Sequence, residues 1–267
     1  MRPSARPCDD HAVRSLALVL VLLTGCDRVF GLDTVRSTSD ARTDGTIGDG
    51  AGSDAIVSGS CGTPAPRQQV VATNTLNSTV VNLASTQAGN TLVMVAAIAS
   101  KTDSFASVKD DGGNNWKRAS SSVGSGTSPI TVEIWYALDV NATTAVTASF
   151  TTSGPSTSID VTEWHCGITG LEAGGIATSG TTPSGPASTG MVTTSQPALV
   201  VGAVVFPDSS TNPARSTTGY ADLTMFFNTG VYGEGAWAWK QPGTYHVAWG
   251  LEGVADWVGA ITAFTEP

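Results

Sequence analysis

The sequence predicts an all-β protein: an antiparallel β-sandwich of the jelly-roll or lectin-like kind. Three observations predict it. From Cys61 onward, short runs of Val, Ile, Thr, Ala, Phe and Trp recur between clusters of Gly, Asn, Asp, Ser and Pro. That region shows no apolar spacing at helical period. Ser and Thr make up 64 of the 267 residues, beside 30 Gly, and only 13% are charged, against about 25% in an ordinary domain.

The elements follow in order. Gln69–Asn74 and Thr79–Leu83 are short β-branched runs parted by turn residues. Thr91–Ala99 is apolar on both faces from Leu92, as in a central strand covered on each side. Ala106–Asp110 and Trp116–Ser121 flank Asp-Asp-Gly-Gly-Asn-Asn, a hairpin loop of residues that tolerate positive φ. In Ile130–Leu138 the alternation puts Ile130, Val132, Ile134, Tyr136 and Leu138 in the core. It turns Thr131, Glu133 and Trp135 outward. Thr144–Phe150 repeats the pattern, with Val146, Ala148 and Phe150 inward, and Ile159–Cys166 follows. Met191–Thr194 is short, while Ala198–Phe206 is again apolar on both faces from Leu199. Leu223–Phe227 precedes Val231–Lys240, whose Trp237 and Trp239 share a face with Val231, Gly233 and Gly235 and belong in the core. Thr244–Leu251 and Trp257–Phe264 close the series of fourteen strands. Pro155, Pro183, Pro186, Pro197, Pro207 and Pro213 fall between them, where a missing N–H costs no ladder bond. The runs beginning at Asn90 and Pro197 resemble each other and suggest two pseudo-repeated halves. Ser and Thr are expected at outward strand positions and in turns.

The chain divides into residues 1–25, 26–60 and 61–267. Arg2, Arg6 and Arg14 precede the apolar run Ser15–Thr24, which suits a signal peptide and is too short to span a bilayer. That run ends in Leu23-Thr24-Gly25-Cys26, which resembles the lipobox of bacterial lipoproteins. The resemblance implies acylation of Cys26 by palmitate-type chains and a membrane anchor in the cell envelope, on the outer membrane or cell surface. Asp27 directly after the Cys leaves inner-membrane retention open. Residues 27–60, with six Asp and three Arg and few apolar side chains, read as a disordered tether. As a coil of 34 residues it reaches roughly 30 Å.

Composition excludes a nucleic-acid partner, because a formal net charge of −9 offers phosphates no basic face. Residues 61–267 carry 7 basic and 14 acidic side chains, a net of −7, so a mildly acidic surface is expected. Cys61 and Cys166 are candidates for a disulfide in an exported protein, with two unpaired thiols the alternative. Asp110, Asp111, Asn114 and Asn115 offer oxygens that suit Ca²⁺, yet fewer than the six to eight it takes. The stretch Ser158-Ile159-Asp160-Val161-Thr162-Glu163 resembles the Glu-x-Asp-x-x-Glu strand of lectin-fold β-glucanases. Asp160 and Glu163 match that motif, while Ser158 replaces the nucleophile a retaining glycosidase needs. The region Thr91–Cys166, with Asp110, Gly112, Asn115-Trp116 and Trp135-Tyr136, is similar to a β-sandwich module of bacterial exported proteins that has no settled activity. Three functions remain. The first is a non-catalytic binding or adhesion module for glycans or cell-surface proteins, with Trp135, Glu133 and Thr131 as contacts. The second is a divergent polysaccharide hydrolase or lyase using Glu163 with Asp160 or Glu133. The third is a structural subunit of the envelope.

Overall fold

In the computed structural model, all regular elements among the described residues are β-strands. Those residues are 64–265 apart from 126, 152–153, 166–167, 169, 174–177, 183–185, 208–212, 224–225 and 252–254. Cys26, Cys61, Cys166 and the segments 1–25 and 26–60, expected as signal and tether, lie outside them.

The first eight strands are β1 (Ala65–Asn74), β2 (Ser78–Asn82), β3 (Thr91–Ile98), β4 (Ser107–Asp110), β5 (Lys117–Val123), β6 (Thr131–Ala137), β7 (Ala145–Ser149) and β8 (Thr157–His165). They build a five-stranded sheet in the order β1-β8-β3-β6-β5 and a three-stranded sheet in the order β2-β7-β4. The next twelve are β9 (Gly170–Ala173), β10 (Thr178–Thr182), β11 (Ala187–Ser188), β12 (Val192–Thr194), β13 (Ala198–Phe206), β14 (Pro213–Arg215), β15 (Ala221–Asp222), β16 (Phe226–Asn228), β17 (Val231–Lys240), β18 (Gly243–Tyr245), β19 (Ala248–Leu251) and β20 (Ala255–Thr265). Their main sheet runs β10-β20-β13-β17-β15, with β9 also on β20 and β16 also on β17. The remaining strands pair as β11-β19-β14 and β12-β18.

The fold is therefore all-β and antiparallel, as the sequence predicts, and it repeats itself. With β9 and β10 standing for β1, β11 and β12 for β2, β15 and β16 for β5, and β18 and β19 for β7, both halves have one jelly-roll-like strand order. The ladders agree residue by residue. Val93 lies between Tyr136 and Thr162, and Val201 lies between Trp237 and Thr262. A bulge recurs as well: β1 skips Arg67 against β8 where β9 skips Glu172 against β20. This register places Thr91 level with Leu199, one residue away from the match that the sequence suggests. A slip of one reverses every face of a strand, so that apparent repeat is out of phase although the duplication is real.

The sheets stack in layers. Val93, Val95, Ile134 and Trp164 of the five-stranded sheet pack against Val201, Ala203, Val258 and Phe264 of the seven-stranded one. Leu92, Met94 and Ile159 on the opposite face are covered by Val81, Val108 and Val146 from β2, β4 and β7. Val200, Val204 and Ile261 meet Ala187, Val192 and Trp249 in the equivalent outer layer. This explains why β3, β13 and β20 are apolar on both faces. It also corrects two expectations. Many hydroxyls are buried rather than outward: Thr79 and Thr157 join at 2.8 Å, and Thr131 donates to the Ser100 carbonyl at 2.6 Å. Glu133, Asp160, Glu163, Glu234 and Asp256 are buried too, so five of the fourteen acidic side chains of residues 61–267 add nothing to an acidic surface. Pro213, expected between strands, opens the edge strand β14, where a first residue needs no donor.

Candidate functional site

The candidate ligand contacts on β6 have the sheet face that alternation assigned to them, but that face is not free. The 99–106 segment and the outer sheet cover it. Glu133 is 0% exposed and Thr131 1%, so neither reaches a ligand, and Trp135 is half-buried. Glu133 accepts from the Ser104 hydroxyl, from Trp135 Nε1 at 2.7 Å and from Arg118 Nη1 at 3.3 Å. Arg118 lies over the Trp135 ring, 5.7 Å from its centroid, so that face of the ring is no open stacking platform. The second half repeats the buried acid. Glu234 opposes Val204 in β13 as Glu133 opposes Ala96 in β3, which marks the position as structural.

The glucanase-like carboxylates do not assemble either. β8 runs without a bulge from Asp160 to Glu163, and residues three apart on a strand face opposite sides. Glu163 points into the outer layer, where it accepts from Gln68 Nε2 at 2.6 Å, Gln87 N at 2.8 Å and Asn90 Nδ2 at 2.5 Å. Arg67 Nε stands 3.8 Å away. These bonds tie the 84–90 turn to the sheet. Asp160 instead occupies the face between the main sheets, where it accepts from Gln69 Nε2 and from Thr162 Oγ1 at 3.0 Å. Burial pushes its carboxyl up to about 7. Glu133 and Glu163 share a face but flank Ala96 and Leu92, two strands and four residues apart. Their backbones are thus roughly 16 Å apart. A glycosidase pair needs about 5–5.5 Å, or 6.5–9.5 Å with inversion.

The Asp110–Asn115 loop is a clip. Asp110 accepts from Asn114 N at 2.9 Å, Asn114 Nδ2 at 3.0 Å and Trp116 Nε1 at 2.7 Å. Asp111 takes the Thr143 and Thr144 hydroxyls, Thr144 N at 2.8 Å and Ala145 N at 3.2 Å. The Thr143 hydroxyl bond, then those from Thr144, hold the Asp111 carboxyl well below the usual carboxylate range. Asn114 Oδ1 accepts from Asn141 N at 2.7 Å. Oxygens already turned toward N–H and O–H donors make a poor cation shell, and Asn115 alone of the four candidates faces solvent without such a bond. Among the described residues no group of three or more His, Cys, Asp and Glu side chains is placed to hold a metal ion.

Among the described residues there is a cleft of about 210 Å³ lined by Asn115, Lys117, Tyr136 and Leu138, where β5 meets β6. Sequence reasoning assigned Tyr136 and Leu138 to the core and passed over Lys117. Only the pairing of Lys117 with Tyr136 brings the three together. Trp237 and Trp239 are half-buried against the central core, and Trp237 meets Trp164 edge to face at 4.9 Å and 72°. No protein-family model, curated protein or solved structure matches the chain.

Proposed function

We propose that the chain is an exported, lipid-anchored binding module that captures its ligand without cleaving it. The observation that carries this reading is the state of the buried carboxylates. Glu133, Glu163 and Asp160 each accept hydrogen bonds from neighbouring side chains or backbone, and none of them lines the cleft of Lys117 and Tyr136. A general acid or nucleophile needs a substrate atom within hydrogen-bond reach, and these groups are sealed from one. The lipobox Leu23-Thr24-Gly25-Cys26 supports the anchor, and the Ser- and Thr-rich 27–60 segment supports display at a distance from the membrane. Glycans are the leading ligand class, cell-surface proteins the other.

Two readouts on one preparation test it. Cells expressing the chain are fed an alkyne-tagged fatty acid, and the purified product is applied to a glycan array. Label on the wild type and none on Cys26→Ser, together with saccharide retention by the acylated protein, is the expected result. Equal labelling of Cys26→Ser contradicts the anchor, and an array with no retained ligand contradicts the glycan as ligand.

A further inference from the structure

The cleft beside β5 carries a cation, Lys117, whose counterpart in the second half is Ala221. Lys117 is one of only four Lys in the chain, is exposed, and makes no ion pair among the described residues. It lines the cleft together with Tyr136, Leu138 and Asn115. The volume, about 210 Å³, suits one sugar ring and falls below the roughly 300–1,000 Å³ of sites for drug-sized ligands.

The internal duplication acts as a control for what the fold itself requires. Lys117 opposes Tyr136, and Ala221 opposes the equivalent Trp237. The second half thus keeps an aromatic residue in register and dispenses with the cation. The surrounding charge points the same way. Five of the seven basic residues of 61–267 lie in the first half: Arg67, Lys101, Lys109, Lys117 and Arg118. Of that half's seven acids, Glu133, Asp160 and Glu163 are buried, Asp110 accepts from its own loop and Asp111 from the 143–145 segment, which leaves Asp103 and Asp139.

We propose that this cleft is the ligand site of the binding module and takes a sugar ring bearing a carboxylate, with Lys117 on the carboxylate, Asn115 on a hydroxyl and Tyr136 with Leu138 against the apolar edge of the ring. This rests on the reading of the chain as a binding module. An ammonium is a point charge that accepts a carboxylate from several directions, so the site selects for charge and ring size more than for one stereoisomer. The contact is solvent-exposed, so added salt weakens it.

Calorimetric titration of the full chain with galacturonate oligomers, matched galactose oligomers and free galacturonate tests the assignment. The oligomers of the acid bind, the neutral ones do not, and affinity falls between 50 mM and 300 mM salt. Lys117→Ala weakens binding by about tenfold or more with an unchanged circular dichroism spectrum, while Lys117→Arg stays within about threefold. Free galacturonate binding as tightly as the oligomer places the whole ligand in the cleft; a much tighter oligomer assigns the site to a polymer end or segment. Wild-type affinity in Lys117→Ala, or equal binding of neutral oligomers, overturns this site while the binding module stands. Absence of binding to any saccharide removes this site and the glycan ligand together.

Discussion

Asp160 sits between the two main sheets, and burial lifts its carboxyl to about 7 from an ordinary 3.8. The unfolded chain loses that proton near 3.8 and the folded chain only near 7. Ionisation therefore favours unfolding, and stability drains away as pH rises between those values, then stays level. A displacement of that size is worth on the order of 4 kcal/mol. Asp160→Asn should match the wild type in urea midpoint near pH 4 and exceed it near pH 8; an equal difference at both would refute the buried acid. Asp111 has the opposite sign. Its hydroxyl and backbone partners favour the charged form, so its stabilisation is complete above the ordinary 3.8 and is lost as pH falls below it. In Asp111→Asn the acid limb of the stability curve should flatten, with little change in the alkaline half. A variant with the wild-type acid limb would show that the 110–116 clip does not depend on that charge.

At the scale of elements, Glu163 pins the 84–90 turn to β8 through Gln68, Gln87 and Asn90. Glu163→Ala leaves the buried Asn90 amide and the Gln87 N–H without their carboxylate and should cost about 3 kcal/mol. Fast hydrogen exchange at Gln87 in the variant would confirm the cause, and an unchanged Gln87 amide would refute it. In β13, a Cβ on Gly202 would stand 2.9 Å from Val247 Cγ2, whereas β3 carries Met94 at the equivalent position. Each outer layer has thus been fitted to its own half, and Gly202→Met should overpack the second layer by about 1–3 kcal/mol, as a thermal denaturation series would record. Strands of this kind were legible in the sequence wherever one face or both were buried, as in β3, β6, β7, β13 and β20. The strands it did not reveal, β9, β10, β11, β14 and β15, are short and draw on Gly, Ser, Thr, Ala and Pro. Their extended form comes from a ladder partner, not from their own pattern.

The described residues form two copies of one strand plan sharing a central core, so the halves should unfold together. Ile134 and Val201 lie in that shared core, so Ile134→Ala and Val201→Ala should each lower one common unfolding transition by about 2–4 kcal/mol. Two separated transitions would mean that the halves fold apart. The candidate site was less legible than the fold for a physical reason. Alternation reports the side of a strand on which a residue lies, and cannot report whether a further layer covers that side. Thr131, Glu133 and Trp135 were placed on the right face and missed the cover that the 99–106 segment and β2-β7-β4 supply. The Lys117 cleft depends on the register of β5 against β6, which no local pattern encodes. The claim that this module binds and does not cleave is tested most directly by incubating the full chain with a panel of soluble neutral and acidic polysaccharides. Retained polymer and released reducing ends are measured in the same samples. Retention with no new reducing ends, identical in Glu163→Gln, is the predicted result; reducing ends that accumulate with time and vanish in Glu163→Gln would contradict it.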